Sequence, residues 1–377
     1  SLKAKELTFL SVGHFKVQRL LGEGGFGQVL EVVKRDCGKR YAMKVMSKDK
    51  VMATLGEDNW EELVMVERKL LAKLQHPLLI NLAYSFQNVS FLVLVMDACP
   101  GGDLAEYGVE GDGRLTATQV KFVALEATAV ITYLHSMYIM FRDIKPANML
   151  LDESGHVRLI DFGIAEEGDR EKGVEPTSNV ECGSGVYVAP EIRSTLSTGV
   201  PYNCMCDWFS LGVMVYELME KSFPFGLEPA YEDLEEEYIQ PELIGEDGEE
   251  VPDLFDMLAG LLDWDPSTRL GGEELKVHPY WTQASTGEPA DWELVEQRRL
   301  PSPLVQLVQS RVLAKRAAEK ASNEDGKWSR HRMSVGTSNF AKELSLAAAA
   351  QAKVDAINKL EVEGDKNDPS FKDEGSF

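Results

Sequence analysis

The glycines at Gly22, Gly24 and Gly27 run directly into Gln28-Val-Leu-Glu-Val-Val33, and that sequel restricts the fold more than any other feature of the chain. A Gly-x-Gly-x-x-Gly spacing alone is weak evidence, because dinucleotide-binding folds place it at a strand-to-helix turn. Here the residues after Gly27 are rich in β-branched types and continue as a strand, so the glycines belong to a hairpin. In such a hairpin, glycines let backbone N–H groups approach phosphate oxygens without side-chain clash. A purely structural glycine cluster is the competing reading. It loses ground at Tyr41-Ala-Met-Lys44, which puts an ammonium at the end of a third apolar strand. Burying that charge unpaired is costly, and Glu67 on the following helix is the best-placed partner. Two unit charges about 4 Å apart attract by about 4 kcal/mol at an effective dielectric near 20, before desolvation. Movement of that helix would therefore switch the site.

The pattern around this hairpin predicts strands at Phe15–Leu21, Gln28–Val33, Arg40–Met46 and Phe91–Met96. One helix is expected at Glu57–Leu74, where Leu63, Val66, Leu70 and Leu74 recur at helical spacing. Pro100-Gly101-Gly102 then punctuates the chain as a hinge. From Asp103 to Trp281 helices dominate. They are Thr116–Ser136, opened by Thr116 or Thr118, the very apolar and therefore buried Asp207–Lys221, and the amphipathic Asp253–Asp263. Beyond Trp292 the charged and Ala-rich sequence reads as a tail, draped on the body or partly disordered, with a helix at Phe340–Leu360. At 377 residues, two lobes are the natural expectation.

The chemistry is concentrated in Phe141-Arg-Asp-Ile-Lys-Pro-Ala-Asn-Met149 and Leu159-Ile-Asp-Phe-Gly163. Asp143 is a candidate base for an attacking hydroxyl, and Lys145 is placed to neutralise charge on a transferring group. Asn148 and Asp161 are hard oxygen ligands suited to magnesium, whose shell the phosphates of a nucleotide would complete. Each residue alone reads as a surface turn; together, in this order, they describe metal-assisted phosphoryl transfer.

A formal charge of -23 argues against binding nucleic acid or adhering to an anionic membrane. Residues 228–250 hold eleven Asp/Glu and no Lys or Arg, a solvated acidic face or an attraction for a basic substrate or regulatory partner. The cysteines, Cys37, Cys99, Cys182, Cys204 and Cys206, are odd in number and without framework spacing, which suggests reduced thiols in a cytoplasmic protein. No apolar run approaches the roughly 20 residues of a membrane span. No cleavable-signal pattern precedes residue 13, and a chain beginning at Ser1 leaves room for sequence upstream.

With these motifs in place, the chain resembles a eukaryotic protein kinase over residues from about 13 to 285. Ala189-Pro190-Glu191, Asp207-Trp208 and Arg269 support the resemblance. It implies that Asp207 holds the catalytic-loop backbone and that Glu191 pairs with Arg269. Lys145 and Ser184 in Cys-Gly-Ser point to serine/threonine specificity. Phe141, His278-Pro-Tyr-Trp281, Asp291-Trp292 and Pro301-Ser-Pro303 are similar to the AGC group. Lys145-Pro-Ala-Asn148 and Asp207-Trp-Phe-Ser-Leu-Gly212 look like G-protein-coupled receptor kinases, whereas Gly336-Thr-Ser-Asn-Phe340 resembles cyclic-AMP-dependent protein kinase.

The resemblance implies an α+β, bilobal kinase fold: an N-terminal extension at 1–12, an N-lobe at 13–96, a hinge at 97–100, a C-lobe at 101–285 and a tail at 286–377. ATP with Mg2+ would bind between the lobes. The nucleotide side would comprise Gly22, Glu23, Gly24, Gly25, Phe26, Gly27, Val29, Ala42, Lys44, gatekeeper Met96, Asp97, Cys99, Asp103 near the ribose, and Phe340 from the tail. The acceptor would be a Ser or Thr hydroxyl of a protein, and recruitment to a membrane or a larger assembly is compatible with this. Three departures stand out. Val180 occupies the position of a phosphorylated Thr, with Thr177 and Ser178 nearby but out of register. Ala147 replaces a Glu that binds substrate arginine. The tail lacks Phe-x-x-Phe and offers only Phe371 and Phe377 for the pocket beside the regulatory helix. An inactive kinase-like scaffold and a small-molecule phosphotransferase are the rival readings. The complete set Lys44, Glu67, Asp143, Asn148 and Asp161 weighs against the first, and the full activation segment weighs against the second.

Overall fold

The computed structural model describes residues 10–23, 27–55, 60–109, 111–226, 252–282 and 288–324, which divide into two compact units. The first takes residues 10–64 and 81–98. Its sheet is antiparallel, with strands Phe15–Glu23 (β1), Gly27–Lys34 (β2), Arg40–Ser47 (β3), Leu82–Gln87 (β4) and Phe91–Asp97 (β5) in the order β1-β2-β3-β5-β4. Strand alternation sorts the apolar side chains onto two faces. Tyr41, Met43 and Val45 of β3 join Phe15, Val17, Leu30, Val32, Val93 and Val95 in one core, and the Phe15 ring stacks on Phe86 with centroids 6.4 Å apart. Met46, Leu92 and Leu94 form the other core with Val51 of a helix at Lys48–Leu55 (α1).

The four expected strands are present. A fifth, β4, escaped the sequence pattern because its residues are only half-buried and lack a clear alternation. The helix expected at Glu57–Leu74 is present as Trp60–Lys73 (α2), but it is not the single one: α1 precedes it, and because α1 buries only Val51 among its described side chains it has little apolar signature.

The second unit comprises residues 65–80 and 99–324. Its centre is the pair Ala117–Ser136 (α3) and Met205–Glu220 (α5), in the latter of which Cys206 to Met219 are all buried. Thr116, not Thr118, caps α3: its hydroxyl accepts from Gln119 N–H, and the Gln119 side chain accepts from Thr116 N–H. Short strands Gly102–Asp103 (β6), Met149–Leu151 (β8) and Val157–Leu159 (β9) form one small sheet, and Ile139–Met140 (β7) pairs with Glu166–Glu167 (β10). Helices Pro190–Thr198 (α4), Pro252–Leu261 (α6) and Gly272–Lys276 (α7) complete the body.

Two tail helices, Trp292–Glu296 (α8) and Val305–Glu324 (α9), seat on this unit. Trp292 Nε1–H donates to the Lys276 carbonyl at 2.9 Å, Gln119 Nε2–H to the Pro303 carbonyl at 3.2 Å, and the Ser302 hydroxyl to the Gly155 carbonyl at 2.6 Å. Leu304 and Val308 are buried beneath the start of α9, and Arg311 donates to the Gly101 carbonyl and the Tyr107 hydroxyl. This part of the tail is therefore draped and helical, and α9 was not foreseen. The helix expected at Phe340–Leu360 and the acidic 228–250 segment lie outside the described residues. Among the described residues no helix is long and apolar enough to cross a membrane.

Candidate active site

The β8–β9 hairpin gathers the polar groups of the second unit. Met149 pairs with Leu159, so Asn148 and Ile160 flank the hairpin's open end, where Ile160 N–H donates to the Asn148 carbonyl at 3.0 Å. Asp161 follows directly. The Asn148 side chain donates through Nδ2 to the Asp143 carbonyl (2.8 Å) and to Asp143 Oδ2 (2.7 Å). Both bonds use the amide nitrogen, which turns the amide oxygen into the atom left to ligate a cation. Asp161 is exposed, and Gly163 N–H donates to its Oδ1. An amide oxygen and a carboxylate are the donor types a hard divalent ion takes when phosphate oxygens supply the remainder. Among the described residues there is no cluster of three or more His, Cys, Asp or Glu that could hold a metal by itself.

Asp143 lies at the focus of this loop. The Ser184 hydroxyl donates to its Oδ1 at 2.6 Å, and Lys145 Nζ stands 2.8 Å from its Oδ2 while also donating to Ser184. The carboxylate thus already accepts from a hydroxyl, which is the interaction an incoming acceptor must make.

The loop's shape is enforced from below. Arg142 (φ 69°) and Asp161 (φ 68°) occupy the left-handed region, which costs non-glycine residues about 1–3 kcal/mol and persists only where neighbours over-determine it. At Arg142 the neighbour is Asp207. Fully buried at the start of α5, it accepts from Phe141 N–H at 2.9 Å and Arg142 N–H at 2.7 Å, with His135 Nε2 at 2.8 Å. Near Asp161, the buried Phe162 ring packs edge-on against Phe141 at 5.3 Å. Glu191 and Arg269 form a two-pronged pair at 2.6 and 2.9 Å, as the resemblance implied. Between the activation segment and α4 lies an open hollow of about 640 Å³, walled by Val180, Cys182, Val188 and Leu196.

In the first unit, strand register collects four of the expected nucleotide residues on one sheet face. Val29 lies opposite Lys44, and Ala42 opposite Met96. Gly27 has a packing reason for being glycine, since a Cβ there would sit 1.9 Å from the Val45 carbonyl; Gly22 has no such neighbour. Glu31, opposite Ala42, is bonded to Arg19 and Arg40 at 2.6 Å each. Burial pushes its carboxyl up, but the two guanidiniums outweigh that and hold it below the usual range. Glu23 is exposed and accepts from Gln28, while Asp97 is taken up by Lys39 (2.8 Å) and Asn81 (3.2 Å).

Cys99 and Asp103 belong to the second unit, where Asp103 caps a short helix through Ala105 N–H. Glu67 is buried on α2. Gly24, Gly25, Phe26 and Phe340 fall outside the described residues. The sequence pattern assigned no role to Arg142, although it directly precedes Asp143, and none to His135 and Tyr202, which carry no local motif.

Comparison with known proteins agrees with this geometry. The protein kinase domain pattern matches residues 15–281. The chain is 35% identical over 302 residues to the RAC family serine/threonine-protein kinase homolog of Dictyostelium discoideum, covering 78% of this chain and 63% of that protein. It is 34% identical over 311 residues to G protein-coupled receptor kinase 2 of Caenorhabditis elegans (78% and 41%) and 33% identical over 305 residues to human Beta-adrenergic receptor kinase 1 (78% and 42%). The chain thus spans less than two thirds of the length of these relatives.

Proposed function

This chain belongs to the protein kinase family, in its AGC group, and on that premise we propose that it transfers the γ-phosphoryl group of ATP to Ser or Thr hydroxyls of protein substrates. The observation that carries the reading is the Asp143 carboxylate, which already accepts a hydrogen bond from the Ser184 hydroxyl and is steadied by Asn148 and Lys145. In this role Asp143 orients the acceptor hydroxyl and takes its proton. Lys145 offsets charge near that carboxylate, and Lys44 serves the nucleotide phosphates. Asn148 and Asp161 would hold a divalent ion, magnesium in this reading, which when bound with ATP neutralises the phosphates.

The complete activation segment through Ala189-Pro190-Glu191, which in protein kinases forms a peptide platform, weighs against the small-molecule phosphotransferase. The reading further assigns Lys44 and Glu67 to one charge pair, Phe340 to the adenine, and the acidic 228–250 segment to a basic regulatory partner, in a cytoplasmic setting. Residues 13–285 would be the catalytic domain, with 286–377 as its tail.

The test is incorporation of labelled phosphate into an arrayed peptide library by the purified chain with magnesium ATP. Transfer to Ser/Thr peptides is expected, and Lys44→Met should reduce it by roughly a hundredfold, as for other electrostatic stabilisers. No transfer to any peptide, or an unaffected Lys44→Met variant, would overturn the reading.

A further inference from the structure

Beside Asp143, the Arg142 guanidinium is only 9% exposed and is engaged from every side by the activation segment and its base. Nε–H donates to the Ile164 carbonyl at 2.5 Å, NH1 donates to Ser178 Oγ at 2.9 Å and Tyr202 Oη at 3.2 Å, and NH2 pairs with Glu166 Oε2 at 3.1 Å. Ser178 and Tyr202 are themselves locked together. Their main chains exchange two hydrogen bonds of 3.0 and 2.9 Å, and both residues are buried. The Tyr202 hydroxyl donates to the Val180 carbonyl at 2.6 Å, with Cys182 Sγ at 3.4 Å, while Ser178 Oγ also accepts from Val180 N–H. Burial raises the Tyr202 phenol to about 12, so the hydroxyl remains a donor throughout the working range.

These contacts converge on Val180, four residues before Ser184, whose hydroxyl touches Asp143. They also converge on Arg142, the residue before Asp143. One phenol oxygen therefore ties both ends of the catalytic arrangement together. It accepts from the arginine of the catalytic loop and donates to the segment that delivers Ser184.

We propose that Tyr202 is a positioning residue of the phosphoryl-transfer site, whose hydroxyl, with Ser178, clamps the activation segment onto Arg142 and assembles the site without phosphorylation of that segment. The inference rests on the kinase reading above. It adds how this chain manages with a valine at position 180. A hydroxyl pair plus Glu166 supplies the acceptors that a buried guanidinium requires, because a buried cation must be hydrogen-bonded on most of its donors to be tolerated.

The test uses the full chain, phosphatase-treated and verified unphosphorylated by mass. It measures peptide-transfer kinetics and the amide hydrogen exchange of residues 178–182 in wild type, Tyr202→Phe, Ser178→Ala and each of these in an Arg142→Ala background. Phenylalanine keeps the ring and removes only the hydroxyl; Ser178→Ala probes the same clamp from its other side should Tyr202→Phe fold poorly. Expected for Tyr202→Phe are a fall in peptide kcat of about tenfold, from loss of a hydrogen bond to a charged group, and an unchanged KM for ATP. Exchange at 178–182 should accelerate. In the Arg142→Ala background each substitution should have a smaller further effect, because the shared partner is gone and only the contacts to Val180 remain.

Unchanged exchange and kcat in Tyr202→Phe would overturn the clamp, as would full additivity with Arg142→Ala. So would a phosphatase-treated wild type that is inactive until phosphate is restored at Thr177 or Ser178. If wild type transfers to no peptide, the kinase reading fails, and the exchange comparison still decides the clamp.

Discussion

Arg142 and Arg269 are two nearly buried guanidiniums in the same unit, with side-chain exposures of 9% and 0%, and they are held in opposite ways. Arg269 meets both oxygens of Glu191 on α4 and the main-chain carbonyls of Met205, at the start of α5, and Asp263, just beyond α6. Arg142 meets two neutral hydroxyls, a single carbonyl and a Glu166 carboxylate that is 40% exposed. A planar bidentate pair sealed from water has one geometry and is costly to break. A guanidinium shared among neutral hydroxyls and one partly solvated carboxylate is held by weaker bonds, each of which can be broken singly. The difference teaches that similar burial can go with different roles: Arg269 is a rivet, whereas Arg142, in the clamp proposed above, would hold or free a segment.

The largest expected effect separates chemistry from architecture. Asp143→Ala should cut peptide transfer by about 10²–10⁴-fold, the range of a lost general base, while leaving the thermal midpoint close to wild type. A variant that instead melts early would mean that the Asp143 cluster is structural, and the contrast with Arg269 would collapse. Next, Arg269→Ala should destabilise the unit by about 3–5 kcal/mol, because it strands Glu191 as an uncompensated partner. Denaturant unfolding measures this directly. A normal midpoint with lost transfer would show that Arg269 acts on chemistry, reversing the roles assigned here.

The smallest effect concerns a titrating neighbour of neither arginine. His76 accepts from Leu78 N–H, stacks on Tyr133 at 4.6 Å, and burial lowers its pKa to about 4. Its unfolded value is about 6.5, so the neutral ring favours the native state above that pH. The benefit fades as the pH falls from about 6.5 toward 4, because the unfolded chain binds the proton first. The slope is at most about 1.4 kcal/mol per pH unit and less in practice, since the ring is only partly buried. Urea unfolding at pH 7 and pH 5 should show a smaller acid loss for His76→Gln than for wild type; equal losses would remove His76 from the account.

Much of the site was legible because its chemistry is packed into short stretches. Asp143, Lys145 and Asn148 lie within six residues, and Asp161 follows at the far end of a hairpin, so local spacing and residue type were enough to nominate them. The apolar runs of β3 and β5 were legible for the same local reason. By contrast β4 and α1 bury too few side chains to leave a pattern, and α9 lies in charged, Ala-rich sequence whose few apolar residues read as tail.

By itself the sequence determined the kind of chemistry, the strand that follows the glycines, and the order in which the acidic, basic and amide groups appear. Those depend on neighbours a few residues apart, where side-chain type and backbone preference act directly. Only the tertiary structure decided that Tyr202, sixty residues from Arg142, lends it a hydroxyl, that Asp207 accepts from the backbone of Phe141 and Arg142, and that Ser184 rests on Asp143. Such contacts leave no periodicity or motif, because a hydrogen bond between distant segments is specified by the packing of everything between them.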